Sequence, residues 1–163
     1  KENNGPFVIR YPRGKGEMAD WRNEMHVLPI GKGKKLRDGD DIAILSLGPI
    51  GNEVIKAIKE IEGDGISIAH YDMIYLKPMD EELLHEVGKK FSRIITVENG
   101  VIRGGLGSAV LEFMADNGYT PKIKRIGVPD EFVEHGPISE LYKLCGMDAK
   151  CIAEEIKKMV IGG

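Results

Sequence analysis

The feature that most constrains this chain is its rhythm from Asp41 onward, where short apolar runs alternate with single stretches of helical periodicity. Ile42-Ala43-Ile44-Leu45-Ser46-Leu47 is a continuous apolar run ending at Gly48, as expected for a strand covered on both faces. Val54, Ile58 and Ile61 follow at helical spacing, with Ile55 beside them. Ile66 to His70 predicts a second strand. Pro78 and the acids Asp80, Glu81 and Glu82 then open a helix whose Leu83, Leu84, Val87 and Phe91 make one face, the negative charge suiting its positive end. Ile94-Ile95-Thr96-Val97 predicts a third strand, and Gly104-Gly105 leads into a helix with Leu106, Val110, Leu111 and Met114 inward and Gly118 as its stop. Ile123 to Val128 is a fourth strand. Pro129 and a polar loop precede two closing helices, Ile138 to Leu144 and, capped by Asp148, Ala149 to Val160. Strands joined by single helices are the mark of βαβ units and a parallel sheet, so the expectation is one three-layer α/β/α domain.

Composition narrows what such a domain does. A chain of 163 residues buries roughly 70% of its extended surface on folding, enough for one independent core and too little for two catalytic domains. Lys+Arg 23 against Asp+Glu 26 gives a net charge of -3, with no basic excess to neutralise a phosphate backbone, so nucleic acid is not an expected partner. No apolar run is long enough to span a bilayer, and the start Lys1-Glu2-Asn3-Asn4 lacks a signal-peptide profile. Cys145 and Cys151 match no metal or redox spacing and read as ordinary thiols of a reducing, cytoplasmic compartment. The chain opens on Lys1 rather than Met, which reads as a piece of something longer.

The first 38 residues are the least regular. Phe7-Val8-Ile9-Arg10-Tyr11 reads as a short strand stopped by Pro12 and Gly14, and Arg13 to Leu36 as a linker followed by a polar edge strand or hairpin. Lys32, Lys34, Lys35 and Arg37, set among glycines, suit a solvated turn better than an anion site. The expected division is therefore 1–38, the end of a preceding domain and a linker, and 39–163, the α/β domain.

Several motifs invite chemistry. Gly63-Asp64-Gly65 resembles the start of a metal-diphosphate site, but such a site needs Asn ligands further on, and residues 89–94 (Lys-Lys-Phe-Ser-Arg-Ile) supply none; a helix-to-strand turn is the expectation. Gly104-Gly105-Leu106-Gly107-Ser108 stands at a strand-to-helix junction where free N–H groups can hold an anion. Val110 replaces the third glycine of a dinucleotide motif, so close helix-strand packing is the better explanation. His26, His70, His85 and His135 are scattered; His85 is expected at the surface, and His135, in the loop past the last strand, is the one to watch. Ser46, Ser108 and Ser139 have no base at a recognisable spacing. Arg10-Tyr11-Pro12-Arg13-Gly14 either grips a phosphate with a guanidinium at a strand end or is an exposed arm.

A resemblance bears on that choice. Phe7 to Gly14, Leu28-Pro29-Ile30-Gly31-Lys32-Gly33, Tyr71 to Asp80, Val97-Glu98-Asn99-Gly100 with Gly104 to Ser108, and Gly127-Val128-Pro129-Asp130-Glu131-Phe132 together resemble, in order and spacing, the 1-deoxy-D-xylulose-5-phosphate synthases. The resemblance implies a transketolase C-terminal-domain-like fold with a mostly parallel five-stranded sheet. It also implies a transferase that joins pyruvate to D-glyceraldehyde 3-phosphate with loss of carbon dioxide, serving isoprenoid, thiamine and pyridoxal synthesis. Thiamine diphosphate and Mg²⁺ would be held by upstream domains of a homodimeric parent, leaving no catalytic, cofactor or metal residue here and the fragment alone inactive. Arg10 matches a family arginine that contacts the substrate phosphate. A second family arginine falls on Ile74, a departure that should weaken the clamp. The alternatives are the C-terminal domain of a transketolase or of a 2-oxo-acid dehydrogenase β subunit, or a stand-alone binding or dimerisation module.

Overall fold

The structure, a computed structural model, describes residues 26–162; Arg10 and the strand expected at 7–11 lie outside the described residues. In chain order the elements are β1 (Lys34–Arg37), β2 (Ile42–Leu47), α1 (Gly51–Glu60), β3 (Ile68–Asp72), α2 (Glu81–Lys90), β4 (Arg93–Val101), α3 (Leu106–Asp116), β5 (Lys122–Val128), α4 (Ile138–Leu144) and α5 (Ala149–Ile161). The strands form one sheet in the order β1-β3-β2-β4-β5. β1 runs antiparallel to β3, and every other pairing is parallel. This is the expected three-layer α/β/α arrangement with a mostly parallel five-stranded sheet.

Alternation along β2 shows why both faces must be covered. Ile42 and Ile44 face one way into a core with Val54, Ala57 and Ile58 of α1 and Ile152, Ala153, Ile156 and Met159 of α5. Ala43 and Leu45 face the other way, against Leu83, Leu84 and Val87 of α2 and Leu106, Val110 and Met114 of α3. Each fully buried Ile or Leu contributes about 1.5–3 kcal/mol from area removed from water, so the central strand is the most strongly fixed part of the sheet. Among the described residues no helix is long and apolar enough to cross a membrane.

The structure corrects several details. β3 begins at Ile68, leaving Ile66 half-buried ahead of it, and β4 continues past Val97 to Val101. Leu111 is exposed rather than inward. Leu106, Val110 and Met114 recur every four residues and face the sheet, whereas Leu111 is turned about 100° from Val110. His85 is half-buried rather than exposed: its Nδ1 lies 3.0 Å from the Tyr119 hydroxyl, and its ring meets Phe113 edge-on at 4.9 Å.

Lys34–Arg37 of the cationic segment form the expected polar edge strand rather than a solvated turn, and Lys32 precedes it. Lys32 pairs with Asp80 and Glu82, and Lys35 with Glu86 at 2.9 Å and Asp38 at 3.4 Å. Asp80 joins this edge to α2. Its carboxylate accepts from Gly33 N–H at 3.0 Å and caps α2 by accepting from Leu83 N–H at 3.2 Å. Burial opposes ionisation of Asp80, but these N–H groups and Lys32 outweigh it and hold the carboxyl below its ordinary range. Asp80→Ala should therefore destabilise the chain by about 1–2 kcal/mol, the usual cost of a lost N-cap. Chemical denaturation at neutral pH reads the effect, and an unchanged midpoint would remove the cap from the account.

Candidate functional site

In an open parallel sheet, chemistry gathers at the carboxyl ends of the strands, above the point where neighbouring connections leave toward opposite faces. Here β2 leads into α1 on one face and its neighbour β4 leads toward α3 on the other, so the crevice between them is that point. Ser46, His70, the turn Asp72–Tyr75, Glu98 and the loop before α3 surround it.

Ser46 and His70 stand 24 residues apart in sequence, yet the parallel register sets Ile44 beside His70 and Ser46 beside Asp72. Ser46 Oγ comes within 2.8 Å of His70 Nε2, and the hydroxyl is 3.4 Å from the Tyr71 carbonyl as donor. Sequence spacing offered Ser46 no recognisable base; the pairing of β2 with β3 supplies one. The distance suits a nucleophile and its base, but the pair is only 1% exposed. The start of α1 covers it: a Cβ on Gly51 would lie 3.0 Å from Ser46 Oγ. Burial pushes the His70 pKa down to about 4 and keeps the ring neutral at pH 7. No substrate reaches this pair, which fastens β2 to β3 just below the carboxyl edge.

Beyond β3 the backbone makes a costly turn. Ile74 has φ +56°, a left-handed value that β-branched residues avoid. Its N–H donates to Asp72 Oδ1 at 3.1 Å, and Tyr75 N–H donates to the Met73 carbonyl two residues back. Such a conformation costs about 1–3 kcal/mol and persists only where its surroundings enforce it. Met73 does so, being fully buried with its N–H bonded to the Ser46 carbonyl at 2.9 Å.

The glycine-rich junction before α3 already holds an anion, and the anion is internal. Buried Glu98, inside β4, accepts from Leu106 N–H at 2.8 Å and Gly107 N–H at 2.9 Å. A Cβ on Gly105 would lie 2.0 Å from Glu98 Oε2, and one on Gly107 would lie 2.7 Å from Arg125 Cδ. The glycines therefore serve close packing, as expected, and the packing partner is a carboxylate that sequence spacing did not reveal. Ser108 Oγ accepts from Gly104 N–H at 2.9 Å and from Arg125 Nη1 at 3.1 Å, while the same Nη1 donates to the Ile102 carbonyl at 2.8 Å. Ser108 is thus committed to holding the loop. Asn99 Nδ2 donates to the Tyr142 hydroxyl at 3.0 Å and ties α4 to this edge.

His135 and Ser139 are exposed, and Lys77 is exposed in the loop after β3. Arg103 faces Asp130 at 3.7 Å. Asp64 pairs with Lys157 at 2.7 Å, and Gly65 turns the chain at φ +73°, so Gly63-Asp64-Gly65 is the turn the sequence suggested. The Cys151 thiol is pushed up to about 11, first by the Asp148 carboxylate beside it and then by burial. Among the described residues no group of three or more His, Cys, Asp or Glu is placed to hold a metal.

Comparison with known proteins agrees with this architecture. Residues 31–152 match the family described as "Transketolase, C-terminal domain". The 1-deoxy-D-xylulose-5-phosphate synthase of Parabacteroides distasonis is 79% identical over 155 residues, covering 95% of this chain and 24% of that protein. The synthase of Bacteroides fragilis is 59% identical over 157 residues, with 96% and 24% covered. Among solved structures, one described as "Split gene transketolase, inactive beta4 tetramer" superposes with a TM-score of 0.73 at 32% identity, covering 82% of this chain and 43% of the other. The chain spans about a quarter of the length of the curated relatives it matches. With residues 31–152, the greater part of its length, matched by that family, the chain belongs to the transketolase C-terminal domain family.

Proposed function

We propose that this chain is the C-terminal part of a 1-deoxy-D-xylulose-5-phosphate synthase, a transferase that condenses pyruvate with D-glyceraldehyde 3-phosphate and releases carbon dioxide. The observation that carries the reading is 79% identity across 95% of this chain to one such synthase. The likeness to a split-gene transketolase structure is more distant, at 32% identity, so a transketolase parent is the second reading. In the first reading the parent is a cytoplasmic homodimer, and residues 1–38 are the end of its preceding domain and a linker whose last residues, Lys34–Arg37, join this domain's sheet as β1.

Thiamine diphosphate and Mg²⁺ belong to the parent in this reading, and the described residues do not fit them. Asp64 is engaged by Lys157 and no carboxylate cluster surrounds it. The strand-to-helix N–H groups that suit a diphosphate are taken by Glu98. The isolated chain should therefore neither bind the cofactor nor turn over substrate.

Arg10 is the residue proposed to contact the acceptor phosphate, with Ile74 standing where the family carries a second arginine. Losing one charge-assisted contact typically costs about 1.5–3 kcal/mol, or roughly ten- to a hundredfold in binding. Steady-state kinetics on the full-length parent, with each substrate varied separately, test both points. Arg10→Ala should raise KM for glyceraldehyde 3-phosphate by that factor and leave KM for pyruvate unchanged. A parent that makes no deoxyxylulose phosphate overturns the synthase reading; a parent that makes it with Arg10→Ala silent moves the phosphate contact elsewhere.

A further inference from the structure

β2 is apolar at every position but one. Ile42, Ala43, Ile44 and Leu45 are fully buried, and Ser46 follows them at 1% exposure with equally buried His70 of β3 as its partner. A hydroxyl and an imidazole are costly to bury, and two apolar side chains in their place would leave no polar group to satisfy. A polar pair inside a core selects one geometry where apolar contacts would accept several.

The contacts of the pair identify that geometry. Ser46 Oγ is 2.8 Å from His70 Nε2 and 3.4 Å from the Tyr71 carbonyl, to which its hydroxyl donates. A hydroxyl has one proton, so both contacts are made together only when His70 is protonated on Nε2 and donates to Ser46. The hydrogen bonds then point one way, from His70 through Ser46 to the Tyr71 carbonyl. The Ser46 carbonyl in turn accepts from Met73 N–H at 2.9 Å. Ser46 thus holds the chain on both sides of Asp72, whose Oδ1 accepts the Ile74 N–H at 3.1 Å. β1 holds Asp72 from the other side, pairing it with Lys34. The next residue after these anchors is Ile74 at φ +56°, a conformation that its own branched side chain disfavours. Ile74 and Tyr75 are half-buried at the border of the crevice, so a shift of this turn changes the wall of the crevice while the core beneath stays packed.

We propose that the Ser46–His70 pair is a positioning device for the turn Asp72–Tyr75, and that the turn so held shapes the site of the phosphate-bearing aldehyde acceptor. Ser46 and His70 act through the turn and touch no substrate. The identity of the acceptor rests on the synthase reading; the positioning of the turn does not. The test removes both polar groups at once, because removing one leaves the other buried without a partner. In Ser46→Ala/His70→Val of the 163-residue chain, Tm should fall by no more than about 4 °C. Amide exchange at Ile74 should quicken about tenfold relative to the amides of α1 and α5. In the full-length parent the same double variant should raise KM for glyceraldehyde 3-phosphate about tenfold and leave KM for pyruvate within about twofold. His70→Gln keeps a donor for Ser46 and should hold exchange and both KM values near wild type.

Unchanged exchange at Ile74 overturns the proposal. So does faster exchange throughout β2, β3 and the helices with a large fall in Tm, which would make the pair a core contact and nothing more. A lower kcat with both KM values unchanged, the mark of less folded enzyme, removes the turn from the acceptor site. A parent that makes no deoxyxylulose phosphate removes the synthase reading, and exchange at Ile74 then decides the positioning by itself.

Discussion

Acidification from pH 7 to pH 4 is expected to cost the fold about 3 kcal/mol through His70 alone, because folding pushes its pKa down to about 4 from the ordinary value near 6.5. Above pH 6.5 both folded and unfolded chains carry a neutral ring, and the stability is fully present. As the pH falls through the window between those values, the unfolded chain takes up a proton that the buried ring refuses, and the balance shifts toward unfolding. Carboxylates lose their partners over part of the same range, so the comparison must be with His70→Gln. That variant cannot titrate there and still offers Ser46 a hydrogen-bonding group. Urea denaturation of the 163-residue chain at pH 7 and pH 4.5 should show a smaller loss in the variant, by about 2–3 kcal/mol. Equal losses, or an NMR titration of His70 with its midpoint above pH 6, would mean that water reaches the Ser46–His70 pair.

Glu98→Ala should be the most damaging single change at the candidate site. It leaves the Leu106 and Gly107 N–H groups without a partner in a position that is 3% exposed, and opens a void beneath Gly105. Hydrogen bonds to a charged group are worth about 1.5–3 kcal/mol each, so a loss of about 3–5 kcal/mol is expected. For a domain whose whole stability is about 5–15 kcal/mol this is a large share, and Tm should fall by about 10 °C. Glu98→Gln keeps the volume and one acceptor, and should cost markedly less. An alanine variant within about 1 kcal/mol of wild type would show that the start of α3 is held by its packing alone.

The fold was largely legible in the sequence because a parallel strand covered on both faces must be apolar throughout, as Ile42–Leu47 is, and amphipathic helices follow at fixed intervals. The strand ends were not. Tyr71 and Asp72 close β3 beyond His70, and Glu98 and Asn99 lie inside β4 beyond Val97, so both strands run past the point where the apolar reading stops. Polarity at the carboxyl ends is where this fold class places its chemistry, so the missed residues are those nearest the site. The Ser46–His70 pair was invisible for a different reason, since only the pairing of β2 with β3 brings together residues 24 apart. Glu98 and its two N–H partners lie eight and nine residues apart, but their meeting depends on how a glycine loop folds back, which spacing does not encode. The left-handed backbone at Ile74 runs against the residue's own preference and is imposed by buried Met73.

An open sheet ends in two strands with unsatisfied backbone groups, and such borders invite pairing with other chains. Here β1 reads Lys-Lys-Leu-Arg and β5 begins Lys-Ile-Lys-Arg, and neither strand carries an acid. Joining two copies β1 to β1, β5 to β5 or β1 to β5 would bring cations against cations in every case. Lys35, Arg37 and Lys124 are already paired with acids of their own chain, so a further strand would have to displace or desolvate these charged side chains, which opposes growth of the sheet from either side.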